Sequence, residues 1–160
     1  MFKFGDYITH PMHGAGVIES SVTKKINGSQ RDYYVLKLPV GDMVVMVPVS
    51  GCEDIGVRSI ISRSEAEKLF SAFSEIEISM TQNWNKRYRE NMDKIKSGNL
   101  LDVASVVKGL MCRDSERGLS TSERKMLHSA KQILISELVI ATDMDYDGVE
   151  KRLCAALKEG

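Results

Sequence analysis

Two hydrophobic periods divide the chain. Over roughly the first sixty residues, apolar and polar positions alternate in short runs, as expected of strands with one buried face. The runs are Asp6 to His10, Ala15 to Lys25, Arg31 to Leu38, Met43 to Val47 and Val57 to Ile61, with Val, Ile and Tyr prominent. Turn residues separate them at Pro11 to Gly14, Asn27-Gly28, Pro39 to Asp42 and Ser50 to Gly56. Asn27-Gly28 predicts a tight hairpin, because both residues tolerate positive φ. Five strands in so short a stretch are too few for two packed sheets. They predict a small, strongly curved sheet or barrel of the SH3 or Tudor type.

From Ser64 onward the period is helical. Ser64 to Glu67 and Ser120 to Glu123 are capping-box patterns, in which hydroxyl and carboxylate satisfy free backbone donors at a helix start. The spacing predicts helices over 64–73, 80–96, 99–113, 120–141 and 145–158. Leu100, Val103, Ala104, Val107, Leu110 and Met111 form one apolar stripe, and Met126, Ala130, Ile133, Leu134, Leu138 and Ala141 another. Gly98 and Gly118 stand where helices should stop. The expected architecture is α+β: a Tudor-like β domain over residues 1–62, a short hinge at Ser62 to Ser64, and a compact all-helical domain over 63–160.

Composition narrows the function classes. The chain has 160 residues, 42% hydrophobic and 28% charged, a folded profile of one ordinary domain or two small ones. No apolar run approaches the roughly 20 residues needed to span a bilayer. The opening Met-Phe-Lys-Phe-Gly-Asp lacks the apolar centre of a signal peptide. Cys52, Cys112 and Cys154 are odd in number and form no CxxC pair, which predicts a reduced, cytoplasmic protein without a disulfide framework or zinc knuckle.

Three motifs imitate ligand sites. Gly14-Ala-Gly16 resembles a dinucleotide loop, but position 19 is Glu and a strand follows, so it is read as a turn. His10 and His13 flank a turn proline with no nearby Cys or acidic cluster. Asp143-Met-Asp145-Tyr-Asp147-Gly148 matches the first half of a calcium loop, yet its twelfth position is Cys154. It is read as an acidic turn capping the last helix. No nucleophile elbow, carboxylate pair or Cys/His signature supports an enzyme, and no metal or cofactor is expected.

Lys plus Arg and Asp plus Glu both number 22, so the net charge is zero, but the charges are not evenly spread. Residues 81–131 carry a net +5 and residues 132–160 a net −3. Lys86, Arg87 and Arg89 flank Tyr88 just after Trp84, the single tryptophan; Arg124, Lys125, His128 and Lys131 recur along a later helix. Cations interleaved with an aromatic suit a DNA-backbone surface, and the same run also fits a solvated helix face. Met80, Trp84, Tyr88, Met92 and Ile95 fall near one helical face, which favours a core position for Trp84.

Taken in order, the residues resemble the CarD/CdnL family of bacterial transcription regulators. The likeness is carried by Phe4-Gly-Asp6, His10-Pro-Met-His13-Gly14-Ala-Gly16, Tyr33-Tyr34-Val35-Leu36, Val47-Pro48 and Gly56-Val57-Arg58. It continues in Asn83-Trp84, Arg87-Tyr88, Arg113-Asp114-Ser115-Glu116-Arg117-Gly118-Leu119-Ser120, Glu123 to Leu127 and Lys131-Gln132-Ile133-Leu134. The resemblance implies a Tudor-like module that docks on the RNA polymerase β subunit through positions matching Lys24, Ile26 and Met46. Met46 departs from a position that is basic in several relatives, which leaves apolar or backbone contacts there rather than an ion pair. The helical domain would reach promoter DNA at the upstream edge of the transcription bubble. Trp84 matches a tryptophan wedged into the minor groove, with Lys86, Arg87, Arg89, Arg124 and Lys125 as basic neighbours. The implied protein is a monomeric, cofactor-free stabiliser of the promoter open complex, associated with the nucleoid through polymerase. The alternative is a polymerase-binding adaptor whose helical domain recruits another protein instead of DNA.

Overall fold

The computed structural model of the chain describes residues 2–40, 42–78 and 81–159. Its first part is an antiparallel sheet of β1 (Tyr7–His10), β2 (Gly14–Ile26), β3 (Ser29–Leu38), β4 (Met43–Pro48) and β5 (Arg58–Ser59), in the order β4-β3-β2-β1-β5. The period of two explains its single buried face. On β3, Tyr34, Leu36 and Leu38 are buried with Ile8, Ile18 and Val47, while Lys37 between them is exposed. Cys52 and Val57 complete this small core. Asn27 and Gly28 take φ of 52° and 82°, as a two-residue hairpin requires. A register shift between Ile18 and Ser20 marks where β2 leaves the core. Beyond it, residues 19–32 form an arm exposed on both faces.

Gly14-Ala15-Gly16 is the start of β2 rather than a turn, and close backbone approach is the reason. A Cβ on Gly16 would lie 2.3 Å from the Lys37 carbonyl oxygen, and one on Gly14 would lie 2.5 Å from Ser136 Oγ.

The second part is helical: α1 (Arg63–Glu75), α2 (Trp84–Lys96), α3 (Leu100–Arg117), α4 (Thr121–Thr142) and α5 (Tyr146–Glu159). The first capping box lies two residues earlier than the sequence suggests. The Glu65 N–H donates to Ser62 Oγ and the Ser62 N–H to Glu65 Oε1, both at 3.1 Å. Glu67 reaches across to Arg152 on α5 instead. Met80, where the pattern begins its second helix, lies outside the described residues. Both apolar stripes turn inward: Val103, Ala104, Val107 and Leu110 of α3 share a core with Met126, Ala130, Ile133, Leu134 and Leu138 of α4. The acidic turn does cap α5, since Asp145 Oδ1 accepts from the Gly148 N–H at 2.7 Å. Among the described residues no His, Cys, Asp and Glu cluster could hold a metal, and no helix is long and apolar enough to cross a membrane.

The sheet and the helices meet along α4. Ser136 Oγ accepts from the Ala15 N–H at 2.8 Å. Next to it, the fully buried Glu137 carboxylate accepts from Arg58 Nη1 and Nη2 at 2.8 and 3.0 Å, and from the Ile61 N–H at 2.8 Å. Arg58 Nε donates to the Gly98 carbonyl, so one guanidinium ties β5 to α4 and to the α2–α3 turn. The suggested hinge at Ser62 to Ser64 is the N-cap and first turn of α1, with Ile61 before it already held.

Removing one member of a buried ion pair leaves the other desolvated and uncompensated, at a cost of about 3–5 kcal/mol. Because Arg58 keeps 34% of its side-chain surface exposed, Glu137→Ala should lower the unfolding free energy by about 3 kcal/mol, the lower end of that range, in urea denaturation. Glu137→Gln, which keeps an acceptor for the Ile61 N–H, should lose clearly less.

Candidate nucleic-acid interface

The helical surface around Trp84 is built where α2 and α4 begin. Asn83 caps α2, its Oδ1 accepting from the Lys86 N–H at 3.0 Å, and this makes Trp84 the first helical residue. Ser120 caps α4 by accepting from the Glu123 N–H at 3.2 Å. The two starts are in contact: Trp84 Nε1 donates to Ser120 Oγ at 3.3 Å. One turn further along α2, Tyr88 stacks on the indole, with ring centroids 5.3 Å apart and planes 19° from parallel.

Trp84 is 41% exposed, against the core position its spacing favours. Tyr88, Met92 and Ile95 do turn to the core as the stripe predicts. As the first residue of α2, beside the cap of α4, Trp84 sits at the end of the packed helix faces. Its ring is held from the side by a tyrosine and from the edge by a hydroxyl, leaving a large apolar surface presented in one orientation.

Arg87 requires a correction. Expected among the DNA-contacting cations, it is only 2% exposed. Its Nε and Nη2 donate to Glu123 Oε2 and Oε1 at 2.9 and 3.4 Å, and Nη1 donates to the Thr81 and Gln82 carbonyls at 3.1 Å each. All three guanidinium nitrogens therefore donate inside the protein, where a planar fork matches a carboxylate. Lys131 is also compensated, by Glu150 at 2.6 Å. Lys86 and Arg89 on α2, with Arg124 and Lys125 on α4, are exposed and carry no ion pair among the described residues. These four cations lie on the two helices that position Trp84.

Sequence spacing did not single out Ser120, Glu123 or Arg113 as parts of this surface. Ser120 and Glu123 were legible only as a capping box, and only half of that box forms. The Glu123 carboxylate turns away from the N-cap amide to Arg87, with Arg113 Nε 3.9 Å away on its other side. Burial alone would raise the Glu123 carboxyl, but the hydrogen bonds and charge of Arg87, with Ser120 and Arg113 behind them, outweigh it and hold it below its ordinary value of 4.5.

The three expected docking residues share one face of the sheet. Pairing sets Val35 opposite Met46 and Lys37 opposite Val44 on one side, and Tyr33 opposite Val22 on the other. Side chains at paired positions point the same way and alternate residues share a face, so Val22, Lys24 and Ile26 lie on the face of Val44 and Met46. Val22, Ile26, Val44 and Met46 are all exposed apolar side chains there, and among the described residues β4 pairs with β3 alone. An apolar face along an unpaired edge is unusual on a free protein, which makes this one a candidate contact surface.

Comparison with known proteins gives a concordant match over both parts. Residues 2–61 match the CarD-like/TRCF RID domain, and residues 68–154 match the CarD C-terminal domain. The chain is 37% identical over 140 residues to the Bacillus subtilis (strain 168) protein YdeB, by its name a candidate transcription factor. That alignment covers 88% of this chain and 92% of YdeB.

Because the Glu123 carboxyl titrates below 4.5 when folded, its pairing stabilises the fold fully above that value and is lost as pH falls through the lower folded value. Stability measured by denaturation should thus drop less steeply as pH falls below about 4.5 in Glu123→Gln than in the wild type, while at pH 7 the variant is the less stable of the two. Parallel curves would remove Glu123 as a titrating element.

Proposed function

The chain belongs to the CarD family of transcription regulators, and from that membership we propose that it binds the β subunit of bacterial RNA polymerase and stabilises the promoter open complex. The β-sheet part is the polymerase-docking unit, engaging through the face that carries Lys24, Ile26 and Met46. The helical part is the DNA-contacting unit, engaging through Trp84 with Lys86, Arg89, Arg124 and Lys125. The family is one of transcription factors rather than enzymes, and the proposal needs no chemical step.

The observation that carries this reading is the exposed, oriented indole at the start of α2, positioned by two helices whose four exposed cations carry no ion pair among the described residues. A protein prolongs an open complex only if it binds the melted state more tightly than the closed one. Phosphate contacts bind both states and carry little sequence information. An aromatic ring that fits an unstacked fork discriminates between them, at roughly 1–3 kcal/mol per stacked base. About 1.4 kcal/mol of that difference is a tenfold change in lifetime. The apolar identity of Met46 suits a docking face whose other exposed members, Val22, Ile26 and Val44, are apolar too. Docking makes the DNA contact intramolecular, so four cations suffice on a chain with no net charge.

The half-life of polymerase–promoter complexes, challenged with competitor DNA, tests the reading. The wild-type protein should lengthen it about tenfold, and Trp84→Ala should remove most of that gain. An adaptor that recruits another protein would leave the half-life unchanged in both cases. Neutralising Lys86 and Arg89, or Arg124 and Lys125, should weaken the effect at all promoters and flatten its salt dependence by about one unit of slope per lost phosphate contact. At the other end of the molecule, Met46→Asp should abolish retention of the protein on immobilised polymerase without unfolding it. Retained binding would move the docking face elsewhere.

A further inference from the structure

The hydroxyl of Ser120 does more than start a helix. Its single proton is directed to Glu123 Oε1 at 3.2 Å. That leaves two lone pairs, one accepting from the Glu123 N–H at 3.2 Å and the other from Trp84 Nε1 at 3.3 Å. A serine hydroxyl has one donor and two acceptor positions, so all three are occupied. The direction of the proton fixes the directions of the lone pairs. Glu123 is itself immobile, clamped by Arg87 and nearly inaccessible to solvent. The chain of contacts thus runs from a buried ion pair through one oxygen atom to the edge of an exposed indole.

From this geometry we infer that Ser120 is a positioning residue for Trp84: it holds the indole, through its N–H, in the orientation that meets the DNA fork. The inference rests on the proposed role of Trp84 and adds a residue with no DNA contact of its own. Tyr88 supplies a flat support on which the ring could still slide or turn; the directional bond to Ser120 removes that freedom. A ring already ordered before binding does not have to be ordered by the DNA, and the affinity otherwise lost to immobilisation is retained. A carboxylate at this position could cap α4 equally well. It has no proton for Glu123 and would set a second negative charge against it, so the triple arrangement calls for a hydroxyl.

Trp84 is the only tryptophan in the chain, so its fluorescence reports on this one site in the intact protein. Ser120→Ala should make the indole faster in anisotropy decay and more accessible to acrylamide, and should cut the gain in open-complex half-life about threefold, as expected for one side chain that must be re-immobilised on binding. Ser120→Thr, which keeps the hydroxyl and the cap, should restore both. Trp84→Phe keeps a ring but has no N–H, so Ser120→Ala added to it should cause no further loss of half-life. If Ser120→Ala leaves the fluorescence unchanged, or costs as much in the Trp84→Phe background as in the wild type, Ser120 acts only as a helix cap and the inference is wrong. Should Trp84→Ala itself leave the half-life unaltered, the wedge reading fails, and the fluorescence arm still decides whether Ser120 holds the ring.

Discussion

A carboxylate with no access to water must find all its partners inside the protein, and the Glu137 carboxylate finds them on elements far apart along the chain. Arg58 comes from the last strand, the Ile61 N–H from the connection, and Gly98 joins through the same guanidinium. Meeting the needs of one buried charge therefore sets the sheet against α4. The contact is reinforced one residue earlier, where Ser136 takes the Ala15 N–H at a point where Gly14 leaves no room for a side chain.

The same helix carries a second buried glutamate near its other end. Glu123 and Glu137 are fourteen residues apart in one continuous helix, a distance of about 21 Å at 1.5 Å per residue. Each binds an arginine from another element, Arg87 from α2 at one end and Arg58 from β5 at the other. α4 thus acts as a beam, with the β-sheet attached at one end and the tryptophan surface at the other. This arrangement suits a protein whose proposed work is to hold a ring at a fixed place on a large partner. A loose connection would spread Trp84 over many positions and dilute its effective concentration at the fork. The proposed function also accounts for the balanced charge: a protein placed by polymerase needs no strong attraction to free DNA, and acidic segments such as Asp143 to Glu150 can sit beside the basic ones.

Local rules made much of this legible in the sequence. Asn27-Gly28 marked its hairpin because positive φ is a property of the residues themselves, and the helical stripes marked the core because burial recurs with the period of the helix. Errors arose where the deciding partner is distant along the chain. The first capping box was displaced by two residues because Ser62 and Ser64 both have a glutamate three positions on, and only Arg152 shows that Glu67 is otherwise engaged. Gly14 and Gly16 passed for a turn because the carbonyl of Lys37 and the side chain of Ser136 are what they accommodate. Arg87 looked like its neighbours Lys86 and Arg89, and its burial depends on a carboxylate 36 residues away. For the same reason periodicity alone places Trp84 in the core, since the contact that holds its edge at the surface comes from a second helix.

The central claim is that docking on polymerase carries Trp84 to the upstream edge of melted promoter DNA. Site-specific photocrosslinking from position 84, with benzoylphenylalanine in place of the tryptophan, measures that location directly. Crosslinks should fall on the bases or sugars at the upstream junction of the bubble, only when polymerase is present, and should vanish when melting is blocked. Crosslinks that track fully paired DNA, that form equally without polymerase, or that land on protein alone would contradict the account.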